Sequence, residues 1–136
     1  MSEDSRGPHF LDATDILEIH ADQIERYGGA ADIRDQGLML SAIAQPCADF
    51  GGHFLHEDLF LMAAAYLFHL VQNHPFVDGN KRTETASALV FLELNGFEVK
   101  CDPDALADLV IDVTLGKVGK PAIADFLRHH VVPRAE

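Results

Sequence analysis

The sequence predicts an all-α fold, a single-domain bundle of about six helices with one short flap. Three observations lead there. Apolar residues recur at helical spacing through most of the 136 residues. Glycines and prolines cut that pattern into helix-length pieces. A hydrophobic content of 48% fills one core at this length and leaves no room for a second. We find no internal repeat and no low-complexity tract. Residues 1–9 open the chain with polar and acidic character, no apolar signal region, and an expectation of flexibility.

In chain order, Asp12 or Thr14 caps a first helix whose apolar face carries Ile16, His20, Ile24 and Tyr27, with Gly28-Gly29 as its stop. His20 on that face reads as a satisfied core histidine. A shorter helix runs from Asp35 to Ala44 and ends before Pro46, because proline disfavours helical geometry in the residue ahead of it. Phe50-Gly51-Gly52-His53-Phe54 is a glycine turn between aromatics, a small hairpin or loop. The stretch from His56 to Asn73 is apolar on nearly every face and is the expected buried central helix. It is closely flanked by Glu57, Asp58 and Gln72 and interrupted by His69, which argues against a membrane span. A further helix from Lys81 to Asn95 presents Ala86, Leu89, Val90 and Leu94, and Gly96 supplies its stop. Phe97 to Cys101 is a short strand or extended link. Asp102-Pro103 opens a helix with Leu106, Leu109, Val110 and Val113 inward and Gly116 after it, and Pro121 starts a last one with Ile123, Phe126 and Leu127.

Charge and cysteine usage narrow the function classes. A formal net charge of −12 repels polyanions, so direct nucleic-acid binding is not expected and any phosphate site must be a local positive island. Two widely separated cysteines, Cys47 and Cys101, fit a reducing cytoplasm. The histidine spacings (His53 and His56, His69 and His74, His129 and His130) match no metal-binding pattern.

Between the central helix and its successor lies His74-Pro75-Phe76-Val77-Asp78-Gly79-Asn80-Lys81-Arg82-Thr83. Histidine titrates near neutrality, which suits His74 to general-base work. Asp78 offers the hard oxygen that Mg²⁺ prefers. Gly79 permits close backbone approach, and the helix that follows turns its free N–H groups toward an anion. Lys81 and Arg82 add a point charge and a forked donor suited to polyphosphate oxygens. Phe76 is the expected aromatic anchor of the turn. In isolation, D-G-N-K-R also fits an ordinary solvated loop. Two cations in a first helical turn, however, oppose the helix dipole unless an anion compensates.

The string resembles the signature of the Fic/Doc superfamily, whose nucleotidyl-transferring members read H-P-F-x-D/E-G-N-G-R-x-x-R. Lys81 stands where those members have a second glycine and Thr85 where they have the final arginine, departures typical of the Doc (death-on-curing) toxin branch. Likeness extends through Tyr27-Gly28-Gly29, Ile33-Arg34-Asp35, Ser41 to Pro46 and Phe91 to Gly96. The resemblance implies that His74 takes the proton from a target Ser or Thr hydroxyl and that Asp78 holds Mg²⁺. Gly79, Asn80, Lys81 and Arg82 would form an anion hole around ATP phosphates. It implies a target-binding flap at Gly51, Gly52 and His53, elongation factor Tu as the kind of target, and a separate antitoxin covering the site. Lysine at 81 favours γ-phosphate transfer over the AMP transfer of glycine-bearing relatives; a catalytically silent binding module is a second function class, and a metal-dependent hydrolase using His74 and Asp78 is a third, disfavoured because no second carboxylate or histidine stands at close spacing. Thr14 to Ile19 matches the self-inhibitory S/T-x-x-x-E-G/N motif of Fic proteins except at Ile19, so a plain amphipathic helix is expected there. Glu84 replaces the small residue usual in Doc-like sequences. We expect it in an exposed pair with Lys81, worth only about 0.2–0.5 kcal/mol.

Overall fold

The computed structural model describes residues 7–134. Its helices are α1 (Ala13–Tyr27), α2 (Gln36–Ala44), α3 (Leu59–Asn73), α4 (Asn80–Leu94), α5 (Pro103–Thr114) and α6 (Lys120–His129). Two short antiparallel pairs accompany them: the hairpin of β1 (Asp49–Phe50) with β2 (His53–Phe54), and β3 (Phe97–Val99) with β4 (Val131–Pro133), which α5 and α6 separate in the chain. The first is the expected flap. The second confirms the strand option at Phe97, but its partner β4 carries no alternation that the sequence made legible.

Helix ends follow local chemistry. Asp12, not Thr14, caps α1 in a reciprocal box with Asp15, and Asp35, Asp58 and Asp102 cap α2, α3 and α5 through their carboxylates. Each carboxylate satisfies an otherwise orphaned N–H and places negative charge at the positive end of the helix dipole. The described start of the chain is anchored rather than loose at its last residues: His9 exchanges main-chain hydrogen bonds with the Asn95 side chain at 2.8 and 3.0 Å.

α3 forms the centre, packed on by α2, α4, α5 and α6, while α1 covers α4. A stretch of it, Met62 to Leu67, is buried without interruption, which is why its sequence lacks amphipathic contrast. Tyr66 reaches out of this core to clasp Leu11, accepting from its N–H at 2.8 Å and donating to its carbonyl at 3.1 Å. Tyr27 departs from expectation. It is 58% exposed at the end of α1 rather than part of the apolar face. Among the described residues no helix is long and apolar enough to cross a membrane, and neither cysteine is in a disulfide.

One polar cluster escaped the sequence reading. Lys120, in the first turn of α6, reaches His56 Nε2 at 3.0 Å and His69 Nε2 at 3.1 Å, tying α6 to the central helix. An ammonium only donates, so both nitrogens must accept and both rings must be neutral. Burial, then the Lys120 charge, pushes His69 down to about 4 and lowers His56. The unfolded chain therefore takes up protons near the ordinary histidine value while the folded chain resists until much lower pH. Stability from this clasp is full above that ordinary value and is lost as pH falls through about 4. Urea midpoints measured across that interval should fall steadily for the natural sequence and less steeply for His69→Gln, which keeps an acceptor but cannot ionise.

Candidate active site

The motif is a turn pinned from both sides. α3 ends in His74, which adopts left-handed backbone geometry (φ 47°, ψ 60°) while its N–H still reaches Leu70 at 2.9 Å. A non-glycine residue in that region carries a local cost of about 1 kcal/mol or more. Arg34 holds it there: its Nε donates to the His74 carbonyl at 2.7 Å and its Nη2 to the Asn73 carbonyl at 2.8 Å. The chain before α2 then runs against the turn. Arg34 and Asp35 N–H groups both donate to the Pro75 carbonyl, Ile33 bridges Phe76, and Val77 donates to Asp32. Nothing in the composition of Ile33-Arg34-Asp35 pointed to this role; family likeness in that segment was its only signal.

Asn80 fastens the turn from inside. Its Oδ1 accepts from the Phe76 N–H at 3.1 Å and its Nδ2 donates to the Phe76 carbonyl at 2.7 Å. The residue is buried, so this side chain is committed to the turn, and what it offers an anion is its main-chain N–H. Nδ2 also lies 3.4 Å from His74 Nε2, a long contact that favours a lone pair on Nε2 and the proton on Nδ1. Phe76 is fully buried and stacked on His20 at 3.9 Å, as an anchor should be. His20 is the satisfied core histidine anticipated from sequence: its Nε2 donates to the Asp78 carbonyl at 2.8 Å.

Asp78 stands at the rim. Its Oδ2 accepts from the Ala30 N–H at 2.8 Å, and among the described residues Oδ1 has no hydrogen-bond partner. Gly29 makes this approach possible, since a Cβ there would stand 3.0 Å from the Asp78 Cβ. Gly79 (φ 78°) is required twice over: its backbone is left-handed, and a Cβ would press on Ile24 at 3.1 Å. Gly79 also caps α4 with no side chain, in contrast to the aspartates of α1, α2, α3 and α5. The first N–H groups of α4 consequently face outward without a competing carboxylate.

Lys81 and Arg82 are exposed on that first turn. The Arg82 guanidinium lies 4.2 Å from the centre of the Tyr27 ring, which explains the exposure of Tyr27: its face is a cation platform. His74, Val77, Asp78, Gly79, Asn80, Lys81 and Arg82 line one groove of about 490 Å³, so the fold collects the expected residues around a single space. A second groove of about 530 Å³, mostly apolar, begins at Lys81, Arg82 and Tyr27 and runs between α1, α4 and α5. Gly51 and Gly52 form the flap's two-residue turn, both with positive φ, the geometry that suits a tight hairpin. The flap is held on its other side: Phe54 packs on Phe10, which stacks on Phe91, well down α4 from Gly79. Among the described residues no hydrogen bond joins Gly51, Gly52 or His53 to the motif.

Glu84 corrects the sequence reading. It is 2% exposed, not solvated, and its Oε2 has no hydrogen-bond partner. Its position one turn behind Asn80 faces inward with Thr83, Ser87 and Ala88. Burial drives its pKa up to about 8, against a smaller lowering by Lys81.

With this geometry in hand, comparison with known proteins is decisive. A model of the Fic/DOC family matches residues 10–92. The chain belongs to the Fic/Doc family. It is 36% identical over 114 residues to the "Protein kinase doc" of Escherichia phage P1, covering 84% of this chain and 89% of that one. It is 42% identical over 95 residues to the "Toxin Doc" of Mycolicibacterium smegmatis, 70% of this chain and 71% of the relative. Both relatives place it among the Doc-like toxins of the family, as Lys81 suggested.

Two outcomes test the site's construction. Asn80→Ala strands the buried N–H and carbonyl of Phe76, and should cost about 3 kcal/mol of unfolding free energy in urea at 1–3 kcal/mol per stranded group. For Glu84, the folded carboxyl keeps its proton at a pH where the unfolded chain has released it. Stability from the natural sequence is therefore full below the ordinary carboxylate value and is lost as pH rises through about 8. Glu84→Gln removes that slope. Between the two ends of this interval, the variant should gain about 3 kcal/mol on the natural protein by pH 7, at 1.36 kcal/mol per pH unit.

Proposed function

We propose that the protein is a Doc-type phosphotransferase that moves the γ-phosphate of ATP to a Ser or Thr hydroxyl of a target protein and so halts translation. The single observation that carries this reading is Lys81 on the uncapped first turn of α4, beside His74 and Asp78 in one groove. A cation at this position meets terminal phosphates, where the glycine of AMP-transferring relatives leaves space instead. The family resemblance supplies elongation factor Tu as the kind of target. ATP use makes the cytoplasm the proposed place of work.

In the reaction, His74 Nε2 accepts the proton of the target hydroxyl as its oxygen bonds to the γ-phosphorus. The bond from that phosphorus to the β–γ bridging oxygen breaks, and ADP leaves with the electron pair. Outward N–H groups of Asn80, Lys81 and Arg82, with the two side-chain cations, bind the phosphate oxygens and hold them in line. Fixed geometry and charge neutralisation carry most of the acceleration in such a transfer. Asp78, pinned through Oδ2 with Oδ1 available, is the residue that would hold Mg²⁺, a hard cation that favours carboxylate oxygen and would supply charge neutralisation at the phosphates. The flap, with an open strand edge and an exposed Phe50, suits an extended target segment added as a strand.

A cognate antitoxin covering the site fits the second groove. That groove shares Lys81 and Arg82 with the first, and is apolar along Leu89, Leu106 and Val110. An amphipathic helix laid there would bury its apolar face and block the two cations together.

Incubation with a bacterial lysate and ATP labelled at the γ or the α phosphate tests the reaction. Label should pass to protein only from the γ position, and His74→Ala should reduce transfer by at least 100-fold, within the usual worth of a general base, with an unchanged circular dichroism spectrum. Transfer from the α position by the natural protein would identify an AMP transferase, and no transfer from either a binding module.

A further inference from the structure

Glu84 is a buried acid on α4, one turn after the groove residue Lys81, that the transfer reaction does not use. It is 2% exposed, and its Oε2 is buried with no hydrogen-bond partner among the described residues, so ionisation would put charge on an oxygen that has no donor. Its one charged influence is Lys81, one helical turn earlier on α4. Titratable groups on the packed elements are engaged elsewhere. On α3, Tyr66 is bonded to Leu11, His69 to Lys120, and His74 approaches Asn80. On α1, His20 bonds to Asp78, Asp22 pairs with Arg26, Asp15 belongs to the Asp12 capping box, and Glu18 and Glu25 are exposed. On β3, Glu98 pairs with Lys100.

The same ammonium therefore serves two anions that exclude each other. With the groove empty, Lys81 is, among the described residues, the group that lowers the cost of ionising Glu84. Phosphate oxygens on Lys81 cancel that help and add repulsion of their own. We propose that nucleotide binding is proton-linked through Glu84: phosphates on Lys81 force this carboxyl into its neutral form, with uptake of a proton from solvent wherever the free carboxyl is ionised, and ionised Glu84 acts as a brake on binding. The linkage rests on the nucleotide reading of the groove and adds its regulation. By reciprocity, whatever favours the protonated carboxyl tightens the nucleotide, and alkaline conditions release it. The carboxyl already sits at the edge of ionising near neutral pH, with its pKa pushed up to about 8, so a modest change in charge at Lys81 is enough to move it.

The test is calorimetric titration with ADP and magnesium, comparing the natural protein with Glu84→Gln, in two buffers of different ionisation enthalpy. ADP is fully ionised at the alkaline end, so its own titration does not intrude. From pH 7 to pH 9, affinity of the natural protein should fall by roughly threefold or more, since a fully linked proton gives tenfold per pH unit. Its buffer-dependent heat should report proton uptake. Glu84→Gln should bind with less than about a twofold change over the same range and with a smaller proton uptake. Equal pH slopes and equal uptake in the two proteins would overturn the linkage while leaving the nucleotide site standing. Failure of both proteins to bind ADP would overturn the nucleotide reading, and the linkage with it. The carboxyl itself is followed without nucleotide by ¹³C resonances of labelled glutamate. Replacement of Lys81 by alanine should raise the pH at which Glu84 titrates, and an unchanged or lowered midpoint would refute the coupling directly.

Discussion

The site depends on a left-handed residue, His74, held at the end of the central helix. That conformation turns the chain sharply out of α3, and a second left-handed residue, Gly79, turns it into α4. Between them the turn would have little reason to keep one shape. Arg34 caps the last carbonyls of α3 from one side, while Asn80 grips the Phe76 main chain from the other. Each bond satisfies a polar group that the turn would otherwise strand. His74, Asp78 and the open end of α4 thereby line one groove before any ligand arrives, as the proposed transfer, a reaction governed by positioning, requires.

Electrostatics follow from that geometry. A chain of net charge −12 is a poor host for polyphosphate unless negative charge is kept away from the binding end. Aspartates cap α1, α2, α3 and α5, whereas glycines cap α4 and α6, so at the groove the first N–H groups of α4 have no competing carboxylate, as the proposed phosphate site requires. Arg82 is steadied on the Tyr27 face rather than by a carboxylate, which preserves its charge for an anion. Glu84 is the exception, and burial rather than distance is what mutes it: the environment holds its proton where an exposed carboxylate would have lost it.

Several misreadings of the sequence share a cause. Tyr27 was placed on the apolar face of α1 because its spacing from Ile24 and His20 is helical, but the helix ends there and its ring meets a cation instead of the core. Glutamate is almost always solvated, which is the expectation at 84; its inward register on α4, beside Thr83, Ser87 and Ala88, overrides that preference. His56, His69 and Lys120 are far apart in the chain, and no local spacing announces that they meet. β4 is too short to show alternation, and only pairing with β3 makes it a strand.

By itself the sequence determined the helical class, the places where helices start and stop, the buried character of α3 and the identity of the motif. These are local matters of period, capping residue and glycine placement, acting over distances of a few residues along the chain. The family resemblance too was legible, because a ten-residue string with so few neutral positions leaves little room for coincidence. The tertiary structure alone decided which side chains hold the turn, which carboxyl is denied water and where the cations rest. Those outcomes depend on groups brought together from distant parts of the chain: Arg34 onto His74, His20 onto Asp78, α3 and α1 against α4. Burial and partner are properties of the packed molecule, and the charge state of an acid such as Glu84 is fixed only once both are set.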